Sequence, residues 1–109
     1  MNIEFKQGVN PLALQQIMYH AIIKIAPIYN NRKLPLTITS TDEIVKGRKR
    51  DSLHYEGLAI DIRIWRLTDT LLMKIFREIT EELKQLSELF QVVLKHDHIH
   101  IEYDYRGLS

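Results

Sequence analysis

The chain has 109 residues and a net charge of +1, with 45% hydrophobic and 27% charged residues. These values are typical of a globular protein with one core, so we predict a single domain over residues 1–109 rather than a disordered chain. A net charge this close to zero disfavours electrostatic capture of nucleic acid or of an anionic membrane. The sequence has no cysteine, so neither disulfides nor thiolate metal ligands are available.

The first residues lack a basic region followed by an apolar stretch, so we expect no signal peptide. No apolar run approaches the roughly 20 residues that a membrane-spanning helix needs. We therefore expect a protein that is made in the cytoplasm and that, if it acts outside it, is released by other means.

The residue pattern in the first part of the chain predicts one helix. Residues Ile3 to Lys6 form either a short strand or a loose arm. Asn10 as N-cap and Pro11 as first helical residue then predict a helix start. Apolar residues at three- and four-residue steps predict an amphipathic helix to about residue 26, ended by Pro27. We interpret His20, which lies near the apolar stripe, as structural.

A strand and a basic loop follow this helix. Leu34 to Thr41 alternates apolar and polar residues and is rich in β-branched types, which predicts a strand. Asp42 to Asp51 reads as a loop that carries the basic run Lys46 to Arg50. The run is a solvated loop, or it places one arginine in a cleft where it grips an anionic substrate group. A nucleic-acid patch is a third reading, although nothing elsewhere in the sequence extends it.

The residue pattern in the second part of the chain predicts three strands and one helix. Leu58 to Ile64, Phe90 to Leu94 and His98 to Tyr103 have strand character, and Thr68 and Asp69 cap a long amphipathic helix between the first two. We therefore predict an α+β fold, with a mainly antiparallel sheet of about four strands packed on two helices.

Polar residues in the last strand share one face. The strand period of two places His98, His100 and Glu102 together, opposite an apolar face. Asp61 lies on the polar face of its own strand, and His54 precedes it across a turn. If the two strands are neighbours, His54, Asp61 and one of the last two histidines converge. Imidazole and carboxylate are zinc ligands, so we predict a zinc site on the open face of the sheet; the alternative is a polar face with histidines exposed by chance.

The candidate ligands lie in two motifs, Ser52-x-His54-x-x-Gly57-x-Ala59-x-Asp61 and, about forty residues later, Asp97-His98-x-His100. Together these motifs resemble the zinc site of the D-Ala-D-Ala metallopeptidase superfamily, and of its small bacteriophage and prophage members in particular. The superfamily also includes lysostaphin-type enzymes and the hedgehog signalling domain. The resemblance covers residues 37–103, which is most of the chain.

The resemblance implies that His54, Asp61 and His100 bind Zn²⁺ and that a water completes the shell. Several members have a glutamate general base three residues before the last ligand, and the resemblance implies that Asp97, which stands there, is the base, with His98 as its helper. Aspartate is one methylene shorter, and on an ideal strand its side chain points away from His100. The resemblance also implies that His98 lines the site, where it orients the water or stabilises the tetrahedral intermediate.

Three more residues are expected to support the site. Ser52 forms a hydrogen bond near the ligands and fixes the loop, and Gly57 provides the sharp turn or positive φ that the backbone needs. Arg48 stands where small phage-like members often have a histidine. It binds a terminal carboxylate, polarises the scissile carbonyl, or is simply exposed.

The sequence thus favours a zinc peptidase that hydrolyses peptidoglycan stem peptides, as a D-Ala-D-Ala carboxypeptidase or an endolysin-type endopeptidase. The alternative within the same fold is a non-catalytic zinc-binding domain with a structural or interaction role. A third reading is a basic-loop binder unrelated to metal. We expect a peptidoglycan peptide as partner, with neither nucleic acid nor membrane; the oligomeric state does not follow from the sequence.

Overall fold

Residues 1–107 form two helices and a five-stranded sheet, which confirms the predicted α+β class. The computed structural model describes residues 1–107, so the last two residues of the predicted domain lie outside the described part. The elements are β1 (Ile3–Phe5), α1 (Gln16–Asn30), β2 (Leu36–Ser40), β3 (Ala59–Arg63), α2 (Asp69–Leu86), β4 (Phe90–Leu94) and β5 (His98–Tyr103), with 3₁₀ turns at Leu53–Glu56 and Tyr105–Gly107.

The sheet is mixed and has five strands in the order β1-β2-β3-β5-β4, which corrects the predicted sheet of about four mainly antiparallel strands. The additional strand is β1, which pairs in parallel with β2. The other three pairings are antiparallel. Parallel neighbours need a long crossover connection, and the segment containing α1 provides it. Three residues of strand carry too little pattern to predict this pairing.

Helix α1 begins five residues later than predicted, because the segment before it docks elsewhere. Asn10 does not cap the helix; its Oδ1 accepts a hydrogen bond from the backbone N–H of Leu12 in a local turn. The N-cap is Gln15. The backbone N–H of Gln15 donates to the carbonyl of Gly57 at 2.9 Å, and its side-chain amide donates to the carbonyl of Glu56 at 2.7 Å. These bonds tie the chain to the turn that carries the predicted ligand His54.

Pro27 lies inside α1 rather than at its end. An interior proline removes one helical hydrogen bond and strains the preceding turn. Here its ring is exposed, while Ile28 and Tyr29, which follow it, are buried in the core. Burial of these two large side chains offsets the lost bond, so the helix continues for three residues to Asn30.

Both helices pack on one face of the sheet and leave the other face open. Thr68 caps α2 as predicted, since its Oγ1 accepts from the N–H of Leu71 at 3.2 Å. Helix α1 contacts β2 and α2 contacts β4. The core beneath them is formed largely by isoleucine side chains: Ile25, Ile38, Ile60, Ile62, Ile75, Ile79, Ile99 and Ile101, all fully buried. Within residues 1–107, neither helix is both long and apolar enough to cross a bilayer.

The turn Leu53–Glu56 ends at Gly57, whose φ of 71° lies in the left-handed region. A Cβ at this position would lie 2.5 Å from the carbonyl oxygen of Ala13. Glycine is therefore required twice, once for the backbone angle and once for the close approach of the segment before α1. The predicted sharp turn at Gly57 is present.

We predict that Gly57→Ala destabilises the fold by about 2–4 kcal/mol, which combines left-handed strain with a steric clash. Gly47→Ala is the matched control, because Gly47 also has a positive φ, of 87°, but open space where its Cβ would be. It should cost only about 1–2 kcal/mol. Urea unfolding of both variants measures the difference; equal destabilisation would show that the contact with Ala13 carries no weight.

Candidate metal centre

The antiparallel pairing of β3 with β5 brings the predicted ligands from distant parts of the sequence together. In this register Asp61 lies opposite His100, and Arg63 lies opposite His98. The alternating residues Ile60, Ile62, Ile99 and Ile101 point into the core, so these four polar residues share the open face. Directly opposed side chains on one face of an antiparallel pair are in reach of each other.

His54 is held over this face by the turn Leu53–Glu56. Ser52 caps the turn, since its Oγ accepts from the backbone N–H of His54 at 3.2 Å, as expected of a residue that fixes the loop. The His54 side chain is buried, and its Nδ1 lies 2.6 Å from the carbonyl of Thr41. Because a carbonyl only accepts, Nδ1 carries the proton. Nε2 is then the ring nitrogen left to face a metal, and it lies 3.3 Å from Asp61 Oδ1.

His100 is oriented in the same manner but by a carboxylate. Its Nε2 donates to Glu102 Oε1 at 2.8 Å, and its Nδ1 lies 3.0 Å from Asp61 Oδ1. Metal-binding histidines usually donate their second ring nitrogen to a carbonyl or carboxylate, which fixes the ring and raises its basicity. Both histidines therefore have the partners that a ligand needs. Sequence analysis placed Glu102 on this face without a role, and the Thr41 carbonyl has no sequence signal.

The three donor atoms fit one metal ion. His54, Asp61 and His100 each offer one ligand atom, and all three atoms lie within 4.8 Å of one another. A tetrahedral shell with bonds of about 2.0–2.1 Å separates its donors by roughly 3.3 Å, and the distances to Asp61 Oδ1 are 3.3 and 3.0 Å. Two imidazoles and a carboxylate suit zinc, and the same set also binds non-haem Fe(II). The geometry thus indicates a metal site without identifying the metal.

The pKa shifts of Asp61 and His100 suit a site where the Asp61 carboxylate binds a cation. Burial raises the pKa of Asp61, but hydrogen bonds from His100 and His54 lower it more, so that the net shift is below the usual value. Burial lowers the pKa of His100, and its hydrogen bonds to Asp61 and Glu102 raise it above the usual value. Asp61 therefore stays ionised, and the pocket is built to accommodate positive charge beside it.

His98 lies beside the ligand group and Asp97 lies behind His98. The Nε2 of His98 is 3.6 Å from Asp61 Oδ1, and its Nδ1 is 2.6 Å from Asp97 Oδ1. The Asp97 side chain is 61% exposed. The structure thus brings His98 next to the ligand group, while Asp97 contacts His98 and lines the adjoining cavity.

Arg48 is held inside the cleft, unlike the rest of its loop. Its side chain is only 12% exposed, so the reading of Arg48 as simply exposed is wrong. Nη2 donates to Ser40 Oγ at 2.9 Å and lies 4.0 Å from Asp61 Oδ2. Nη1 donates to the carbonyl of Glu43 at 2.8 Å. The neighbouring Lys46, Lys49 and Arg50 are exposed, so the basic loop is solvated apart from this one arginine.

The ligand group lies where two open cavities meet. One has a volume of about 430 Å³ and the other about 720 Å³. Arg48, Asp61 and His98 line both. A structural zinc site is closed by four protein ligands, whereas a catalytic site has three and keeps one position accessible. The three donors here lie beside open space, so a fourth position around an ion would be accessible.

No model of a known protein family matches the chain, and no curated protein matches it significantly.

We predict that Glu102→Ala lowers metal affinity about 10- to 100-fold, because His100 loses the partner that orients it and raises its basicity. Glu81→Ala on α2 is the control, since Glu81 is exposed and lies outside the ligand group. Zinc competition with a chromophoric chelator measures both affinities. Unchanged affinity in Glu102→Ala would mean that the contact with His100 does not support a ligand.

Proposed function

We propose that this chain is a zinc-dependent peptidase that hydrolyses peptidoglycan stem peptides, as a D-Ala-D-Ala carboxypeptidase or an endolysin-type endopeptidase. The observation that carries the proposal is the group His54, Asp61 and His100, whose three ligand atoms lie within 4.8 Å of one another beside an open cleft. The choice of zinc and of peptidoglycan rests on the motif resemblance. When bound, zinc lowers the pKa of water toward neutrality and polarises a carbonyl.

His98 is the proton acceptor in this proposal, and Asp97 positions it. The Asp97 carboxylate accepts the Nδ1 proton of His98, which leaves the lone pair on Nε2, the nitrogen that faces the ligand group. A carboxylate behind an imidazole fixes the tautomer and stabilises the imidazolium that forms on proton uptake. The sequence pattern assigns the base to Asp97 with His98 as helper; the contacts support the reverse order.

Arg48 contributes positive charge on the other side of Asp61. Ser40 and the Glu43 carbonyl fix its guanidinium, and the Glu43 side chain accepts hydrogen bonds from Ser40 and from the backbone N–H of Thr41. We place Arg48 at the carbonyl oxygen of the scissile bond, where a pre-oriented cation stabilises developing negative charge. Its lining of both cavities supports this position.

The non-catalytic zinc-binding domain is the alternative. Its site would need only the three ligands and their partners, and the pairing of Asp97 with His98 would have no role. The two functions therefore differ in what a change at His98 does.

We predict that His54→Ala abolishes both stoichiometric zinc and hydrolysis, whereas His98→Gln keeps zinc and lowers kcat by about 10²- to 10⁴-fold. His20→Ala, at an exposed position on α1, should change neither. Elemental analysis and digestion of defined muropeptides give the two readouts. Full activity in zinc-free His54→Ala would contradict the proposal, and bound zinc without any hydrolysis by the unsubstituted chain would favour the non-catalytic domain.

A further inference from the structure

Arg63 is a cation on the open face that no part of the proposed mechanism uses. It lies two residues after Asp61 on β3 and opposite His98 on β5. Within residues 1–107 its side chain forms neither a hydrogen bond nor an ion pair, and its Nε is buried without a partner. A buried donor without a partner costs free energy. Such a group next to a cleft is suited to a ligand that supplies the acceptor.

Trp65 fixes the guanidinium in place. The centre of the Arg63 guanidinium lies 4.0 Å from the centroid of the Trp65 ring, which is a cation–π contact. Trp65 itself is 65% exposed, although it is the only tryptophan of the chain. Within residues 1–107 the two terminal nitrogens of this guanidinium form no hydrogen bond, and such a pair of donors matches the geometry of a carboxylate.

The other charges of the cavity leave Arg63 available. Of the carboxylates that line the 430 Å³ cavity, Glu43 accepts from Ser40 and Thr41, Asp97 accepts from His98, and Asp61 belongs to the ligand group. Glu4 lines a neighbouring cavity with Arg63. Its carboxylate instead lies 3.4 Å from Thr37 Oγ1. None of these acidic groups neutralises Arg63.

We propose that Arg63 and Trp65 form a subsite for a carboxylate of the substrate, which rests on the peptidase function proposed above. Two strand residues span roughly 7 Å, so the subsite lies about that far along β3 from Asp61. An extended peptide covers this distance in about two residues. The substrate carboxylate therefore belongs to a residue within two positions of the cleaved bond. Arg63 donates N–H bonds to both carboxylate oxygens, and Trp65 packs against the guanidinium beside the cavity.

The test uses the zinc-loaded full chain and three N-acetylated peptides. These are L-Ala-γ-D-Glu-L-Lys-D-Ala-D-Ala, the same peptide with the D-Glu α-carboxyl amidated, and the same peptide with the C-terminal carboxyl amidated. We expect one amidation to lower kcat/KM about 10- to 100-fold, mainly through KM, because a charge-assisted bidentate contact is lost.

Arg63→Gln should remove this preference for the carboxylate, and Arg63→Lys should keep part of it, because lysine retains the charge without the planar fork. Trp65→Ala should weaken the preference. Arg77→Gln, at an exposed position on α2, is the matched control and should keep it. Two results would overturn the subsite. Either Arg63→Gln lowers kcat/KM equally on all three peptides, or it keeps the full preference for the carboxylate.

The subsite can fail or hold independently of the peptidase function. If the unsubstituted chain cleaves none of the peptides, the peptidase proposal fails, and calorimetric binding of the same three peptides tests the subsite alone. The subsite is supported if the parent peptide binds at least tenfold tighter than one of the two amidated peptides and Arg63→Gln removes this difference. Equal binding of all three peptides, or no binding, overturns it.

Discussion

The antiparallel pairing of β3 with β5 determines everything on the open face of the sheet. Its register sets Asp61 opposite His100 and Arg63 opposite His98, and the period of two keeps the intervening isoleucines in the core. A shift by one residue would exchange the two faces, burying the carboxylate and exposing the isoleucines. The free energy that stabilises the core therefore also fixes the metal centre, and the two cannot vary independently.

The ligands gain their orientation from groups outside the centre. Thr41 offers a backbone carbonyl to His54, and Glu102 offers a carboxylate to His100. Each contact occupies one ring nitrogen and leaves the other for the metal. Asp97 does the same for His98, which faces the ligand group without belonging to it. Each of the three imidazoles thus has one ring nitrogen at a hydrogen-bond acceptor that the fold positions, and the proposed chemistry uses the other nitrogen.

Sequence patterns predicted the parts of the fold that depend on local signals. The bounds of β4 and β5 agree with the prediction, and Thr68 caps α2, because alternation and capping act over a few residues. Contacts with distant segments of the chain account for the predictions that were wrong. The pairing of Gln15 with Gly57 overrides the helix start at Asn10, and the parallel pairing of β1 depends on a crossover.

The sequence was enough to predict which residues are the candidate ligands, but not how the side chains around them are arranged. The motifs identified His54, Asp61 and His100, yet no pattern shows that Asp97 pairs with the His98 ring, or that Arg48 is held by Ser40. Zinc X-ray absorption spectroscopy tests the central claim most directly. It should show one zinc per chain with two imidazole nitrogens and oxygen donors at about 2.0–2.1 Å in a four-coordinate shell; a third imidazole in the shell, or no bound zinc, would contradict it.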